Sequence, residues 1–310
     1  MSVRKSESGQ AIVLMVISLA VLTGMAALVL DVGVWMRTDR KLQATADAAA
    51  LAGAQQLPNS PGNARAMALD YANRNGGDVQ ASGITISSTF TPNDTIQVRA
   101  EKNQPGIFSR VLGVDSTDIH ASAKARVDTP YAVRYVAPMV VFCDHPLIKK
   151  CAEAPGMPSF NVETTMDFDP MGAPGAFGML NLSGGSGTPG TSEESEWILH
   201  GYDRDLKVRQ NYRSDPGAKF SSQQLQDALD SRIGTDPVLL FPVYEALTGT
   251  GQNAEYFIIG WIGFHLTDYV VHGHGATLTG YFTEYIAHGI LSSSGSGSPN
   301  LGVKSIQLIE

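Results

Sequence analysis

The sequence predicts an α+β protein in which one N-terminal transmembrane helix runs on into a small α+β unit and then into a β-rich domain. Three observations carry that prediction. Residues Ala11 to Leu30 hold no charge, and Ser18 and Thr23 are their only polar side chains. Residues 58–128 read as a helix, a hairpin, a short helix and a strand. From Thr129 onward, apolar runs are separated by loops rich in Gly, Pro, Ser and Asn, the punctuation of strands and turns. The expected division is a tail at 1–10, a membrane-spanning segment at 11–36, a continuation of the helix at 37–57, the α+β unit at 58–128, and the β-rich domain at 129–310.

The opening run is long enough to cross a bilayer. About twenty residues at about 1.5 Å rise each match a hydrocarbon core of about 30 Å. Arg4 and Lys5 precede the run, and Asp31, Arg37, Arg40 and Lys41 follow it. Two rival readings exist, a cleaved signal peptide and a buried core helix. A signal peptide has a shorter apolar region followed directly by a small-residue cleavage site. Here the apolar character continues through Val32, Val34, Trp35 and Met36 into basic residues, which favours the anchor, with Trp35 as an interfacial aromatic.

Thr38 to Leu57 holds no Pro, no Gly before Gly53, and much Ala, so the helix is expected to continue beyond the membrane. Leu42, Ala46, Ala49, Gly53 and Leu57 recur on one face, and Ala46, Ala50 and Ala54 form a stripe of small residues that admits a second backbone. Two uses of this surface stay open: a docking face for the chain's own soluble part, or a lateral contact with neighbouring subunits.

The segment Pro58–Pro61 with Gly62 ends the long helix. Asn63 is placed as the cap of a second helix over Ala64 to Asn75, with Ala64, Ala68 and Tyr71 or Ala72 on one face. Ile84 to Phe90 and Thr95 to Glu101 alternate around a turn at Thr91 to Asp94 and read as a β-hairpin. Ile107 to Leu112 reads as a short apolar helix stopped by Gly113, and Asp115 to Val127 as a third strand.

Beyond Thr129 the expected elements are an apolar, β-leaning stretch from Tyr131 to Phe142, then an irregular, surface-like region over Pro155 to Gly190. A helical turn at Trp197 to Gly201 and a helix at Ser221 to Ile233 follow. Strands are expected at Val238 to Tyr244, Tyr256 to Val271, Ala276 to Leu291 and Val303 to Ile309, with a turn at Gly295 to Pro299. Cys143 and Cys151, the two cysteines of the chain, bracket the loop CDHPLIKKC. So close a pair in an exported chain reads as a disulfide; a metal site with Asp144 and His145, or free thiols, are the alternatives.

Composition narrows the function class. Charged residues are 17% of the chain and glycine numbers 32, a low-charge, loop-rich profile suited to exported material rather than a cytosolic enzyme. The formal net charge is −8 and no basic stripe is visible, which excludes nucleic acid as a main partner. The best metal constellation is His272 and His274 with Glu284 and His288, since two residues spaced by one project to the same side of a strand. Gly273 and Gly275 make that stretch loop-like, so histidines incidental to a polar turn is the preferred reading and no metal or cofactor is expected. Ser183 to Gly187 follows no strand pattern and is no nucleophile elbow, and no phosphate loop is present. Asp167 and Asp169 read as turn caps rather than as an acid–base pair. The chain is not expected to be an enzyme.

One family fits the opening residues. Glu7-Ser8-Gly9-Gln10-Ala11, then Asp31, then Leu42-Gln43, then Ala46 to Ala54 (ADAAALAGA) resemble in order and spacing the N-terminal region of TadG-like proteins. These group with the TadE and TadF minor pilins of tight-adherence (Flp) pilus systems. The resemblance continues to about Val127, including the apolar patch Ile107 to Gly113. More loosely, Phe177 to Leu180, Leu240 to Tyr244 and Tyr256 to Phe264 resemble the extracytoplasmic part of some members. The resemblance implies a single-pass inner-membrane protein, N-terminus in and bulk extracytoplasmic, whose partners are the inner membrane and other pilus subunits. No small-molecule substrate is evident in the sequence. Two departures follow. Cutting after Gly9 would put Leu14 where processed pilins carry Glu, which argues for a permanently anchored assembly protein. Asp115-Ser116-Thr117-Asp118 does not complete the DxSxS metal motif of members with a von Willebrand factor A domain. A membrane-anchored metal-binding protein or enzyme built on the His272 region, and a surface adhesin, remain the alternative functions.

Overall fold

A computed structural model describes residues 8–149, 151, 156–168, 178–184, 187–215, 219–235, 238–250, 253–273, 275–290 and 298–309. The chain is α+β, and it divides into two compact units: Met1–Arg126 with Gln307–Glu310, and Val127–Ile306.

The first unit is built on α1 (Ser8–Ala54), one uninterrupted helix of 47 residues. At about 1.5 Å per residue its length is about 70 Å. Its apolar window is 0% buried, so lipid-type side chains such as Leu14, Leu22 and Val29 are bare. From Asp31 onward the helix gains a covered side. There α2 (Pro61–Arg74) packs along it through Ala64, Ala68 and Ala72, all 0% exposed. The helix starts earlier than expected, at Pro61 with Ser60 as its cap, because Pro suits the first helical position and its missing N–H costs nothing there. Asn63 therefore sits within the first turn. Tyr71 is exposed, and Ala72 takes the core position.

An antiparallel sheet completes the unit. Strand β1 (Val79–Ser87) pairs with β2 (Thr95–Pro105), and β2 with β3 (Ser116–Asp128). Ile96, Val98 and Ala100 of β2 face inward with Ala121, Ala123 and Ala125 of β3, the period-two pattern of a half-buried sheet. Between β2 and β3 the expected short α-helix is reduced to a 3₁₀ turn at Ser109–Leu112, ended by Gly113 at φ 85°. The amides of Ile107 and Phe108 are bonded to α1 instead of starting a longer helix.

The second unit is a six-stranded sheet covered on both faces. Its strands are β5 (Val141–Phe142), β6 (Glu163–Asp167), β8 (Gln210–Arg213), β9 (Val238–Thr248), β10 (Glu255–His272) and β11 (Gly275–Thr283). The order is β5-β9-β10-β11-β6, and β8 also pairs with β10. One face carries α3 (Thr191–His200) and α4 (Gln223–Thr235), whose Ile198, Leu225 and Leu229 join Phe241, Ile262 and Phe264 in one core. The other face packs Leu240, Tyr256, Ile258 and Trp261 against Leu206 and Val208. Burial on both faces explains why β9 and β10 read as nearly continuous apolar runs. Small ladders complete the unit: β4 (Ala132–Val133) pairs with β7 (Leu206–Lys207) and with β13 (Gly289–Ile290), and β12 (Tyr285–Ile286) runs parallel to β14 (Val303–Leu308).

Three expectations need correction. The strand placed over Ala276 to Leu291 is three pieces, β11, β12 and β13, because after Thr283 the chain leaves β10 to pair with Val303 and then with Val133. The region Pro155 to Gly190 is not wholly irregular: β6 adds to the sheet edge beside β11. Trp197 to Gly201 is the end of a ten-residue helix, not an isolated turn. The β-leaning stretch Tyr131 to Phe142 is built of two-residue strands and isolated bridges. The tail at 1–7, Asp169, Phe177, Ser186, His274 and most of the turn at 295–299 lie outside the described residues.

Candidate functional site

The functional surface of the first unit is α1 itself. Every residue singled out on its small face is buried within that unit: Leu42 is 2% exposed, and Ala46, Ala49, Ala50, Ala54 and Leu57 are 0%. Gly53 is buried beside them. A Cβ at Gly53 would meet Ile96 Cδ1 at 2.6 Å, the Ala64 carbonyl oxygen at 2.9 Å and Ala68 Cβ at 3.0 Å. Small side chains here let α2 and β2 approach the helix backbone. The face docks the chain's own soluble unit. Polar contacts reinforce it: the Gln43 amide donates to the Ser122 carbonyl at 3.2 Å, and the Thr45 hydroxyl donates to the Asn75 carbonyl at 3.1 Å.

A second grip lies lower on the helix. Asp31 stands where the apolar run ends, yet it is 1% exposed. Its carboxylate accepts the amides of Ile107 at 3.1 Å, Phe108 at 2.9 Å and Ser109 at 2.6 Å. An ionised carboxylate with three N–H donors is a strong, charge-assisted arrangement. These donors would otherwise be orphaned at the start of the 3₁₀ turn. Asp31 was visible in the sequence as an ionisable residue bordering an apolar helix. Its role as a tether was not, because its partners lie 76 to 78 positions away.

Cys143 and Cys151 are joined in a disulfide, with Cα atoms 5.4 Å apart. Cys143 is fully buried, so the bond pins the loop to the core beside β5.

The histidine constellation is not brought together. His272 ends β10 at the hairpin turn, pairs across the ladder with Gly275, and shares a 2.7 Å hydrogen bond with the Thr277 hydroxyl. Glu284 follows the far end of β11, a nine-residue strand that at about 3.3 Å per residue spans about 30 Å. Glu284 instead faces Lys304 at 3.7 Å, and His288 sits edge-on to Tyr135 with ring centroids 5.9 Å apart. His272 and Glu284 cannot share an ion across that distance. Among the described residues, no three of His, Cys, Asp and Glu are grouped to hold a metal.

One buried charged cluster escaped sequence reading. Lys219 Nζ lies 2.6 Å from Glu194 and 3.0 Å from Asp215, and both carboxylates are 0% exposed. It also donates to the Pro189 carbonyl. Burial pushes the Glu194 pKa up to about 9, and its hydrogen bond to Asp215 and that carboxylate's charge add to the rise while Lys219 opposes it. The cluster joins α3 to the segment before α4, and its partners are separated by 25 residues in sequence.

These features define a class: a chain with one bare apolar helix whose far end is clamped to an α+β unit, followed by a disulfide-bonded β-rich unit. Residues 9–56 match the Tad family model, described as "Putative Flp pilus-assembly TadE/G-like". Over this stretch the chain is similar to TadE/G-like pilus-assembly proteins. The matched stretch coincides with α1, from the bare segment through Asp31 to the clamped face. No curated protein and no solved structure matches the chain.

Proposed function

We propose that this protein is a non-enzymatic, minor-pilin-like component of a tight-adherence pilus or its assembly platform, working through protein–protein contacts. Its N-terminus lies on the cytoplasmic side of the inner membrane, with the part of the first unit that follows the apolar run, and the whole second unit, outside. The observation that carries this reading is the coincidence of the family match with a two-part helix: bare and apolar over 11–30, sealed against its own domain over 42–54. A helix occupied in this way leaves the apolar half for the bilayer and for other subunits. The Cys143–Cys151 disulfide fits an oxidising compartment and so supports the outward placement.

The test is photo-cross-linking in native membranes from bare α1 positions such as Leu14 and Leu22. Adducts with other pilus components, together with loss of pili on deletion of the gene, are the expected outcome. Normal piliation without the protein, and no protein adducts, would sink the proposal.

A further inference from the structure

We propose that the loop Ile107 to Val114 is a second membrane-contacting element, a wedge inserted beside α1 into the leaflet nearer the soluble unit. The inference rests on α1 crossing the bilayer. Four apolar side chains of this loop are exposed: Ile107 at 64%, Phe108 at 42%, Val111 at 86% and Val114 at 45%. Four in eight positions make a concentrated apolar patch, and a solvated loop is ordinarily polar.

Position identifies the occupant as lipid. An open groove of about 490 Å³ runs between the loop and α1, bounded by Phe108 and Val111 on one side and by Leu19, Ala20, Thr23 and Ala27 on the other. All four helix residues precede Asp31, within the uncharged run. From Asp31 down to Ala20 is about 16 Å along the helix. The loop therefore lies alongside the stretch that occupies hydrocarbon, and a bilayer around that stretch must also surround the loop. Acyl chains fill such a groove without a specific partner.

The backbone of the loop is prepared for that medium. Non-helical backbone is tolerated at membrane depth only where its polar groups are satisfied within the protein. The amides of Ile107, Phe108 and Ser109 go to Asp31. Those of Gly106, Val111, Gly113 and Val114 go to the carbonyls of Asp115, Phe108, Arg110 and Ser109. The Ser109 hydroxyl closes on the Val114 carbonyl at 3.0 Å. Arg110, exposed on the same turn, has the reach to carry its guanidinium up to the phosphate level while its stem stays apolar.

The experiment uses the full chain in vesicles of phosphatidylethanolamine and phosphatidylglycerol, with a nitroxide attached to a single added cysteine. The positions are Val111→Cys, Leu19→Cys as the anchor reference and Ala66→Cys on the exposed side of α2 as the aqueous reference. The native cysteines are bonded to each other and do not take the label. The expected result is oxygen accessibility at 111 several-fold above, and soluble-nickel accessibility several-fold below, the values at 66, with a depth shallower than that of 19. Aqueous behaviour at 111 with lipid behaviour at 19 would overturn the wedge and leave the anchor standing. Aqueous behaviour at both would overturn the anchor and the wedge with it. A position 111 that is aqueous in vesicles and shielded only after other pilus components are added would assign the patch to a protein partner and overturn the lipid assignment.

Discussion

Asp94 shows how much one carboxylate can organise. It is fully buried at the β1–β2 turn and accepts the amides of Thr89 at 2.7 Å, Phe90 at 2.7 Å and Thr91 at 2.9 Å, with the Thr95 hydroxyl at 2.7 Å. Burial works against its charge, but these donors outweigh burial and hold its pKa below the ordinary value. A lowered pKa contributes stability above the unfolded carboxylate range, about 3.9, and that stability is lost as pH falls through the folded value. Asp94→Asn presents an NH₂ group to amides that need acceptors. The substitution is expected to cost about 1–3 kcal/mol at neutral pH and to remove part of the acid sensitivity, as measured by denaturant titration at pH 7 and pH 3. Glu194 has the opposite sign. Its raised pKa means that the folded state keeps a proton which the unfolded chain releases, so stability is full below about 4.3 and declines as pH rises toward about 9. Glu194→Gln fixes the neutral form. Its denaturation midpoint is expected to change less between pH 6 and pH 9 than that of the parent; an unchanged slope would show that the proton sits elsewhere in the cluster.

At the scale of elements, two glycines separate helix propensity from packing. Gly→Ala in a helix gains up to about 1 kcal/mol where there is room. Gly62, in the first turn of α2, has nothing within 4 Å of an added Cβ, whereas Gly53 would press on Ile96, Ala64 and Ala68. Gly62→Ala is expected to raise the melting temperature in detergent. Gly53→Ala is expected to lower it, with overpacking costs of about 1–3 kcal/mol outweighing the propensity gain. The same division between local and distant causes decided what could be read from sequence. Strands β9 and β10 and the face through Leu42, Ala46 and Gly53 were legible because burial writes a local pattern into the side chains. Strand β6 was not: it has one buried residue, Met166, and exists because β11 offers it an edge. Helix α3 was read only at its apolar end because its first half, Thr191 to Glu196, is polar, and the one fully buried ionisable side chain there, Glu194, finds its partner in Lys219 from a distant segment.

At the scale of the whole molecule, the apolar half of α1 and the packed parts of the chain are legible for different reasons. The long apolar helix was legible from composition alone, and α1 carries it as one bare helix long enough to cross a membrane. The site that fixes it to the soluble unit was half legible, as a small-residue face and a lone carboxylate whose partners only the fold supplies. The proposed anchor is testable on isolated membranes. Leu19→Lys with Leu22→Lys places two charges in the bare segment, each costing about 2.5–3.5 kcal/mol at the centre of a spanning helix. The parent chain is expected to stay with the membrane pellet after alkaline carbonate extraction, and the double variant to be released in a substantial fraction. Equal retention of both would mean that something other than α1 holds the protein.

Asp31 and Gly53 grip the same helix at heights about 33 Å apart, one through three amides and the other through a close-packed backbone. Two clamps on one rigid rod fix azimuth as well as height. The α+β unit therefore cannot swivel about the helix axis, and turning the helix about that axis turns the unit with it. The first unit behaves as a keyed shaft, able to transmit torque as well as tension.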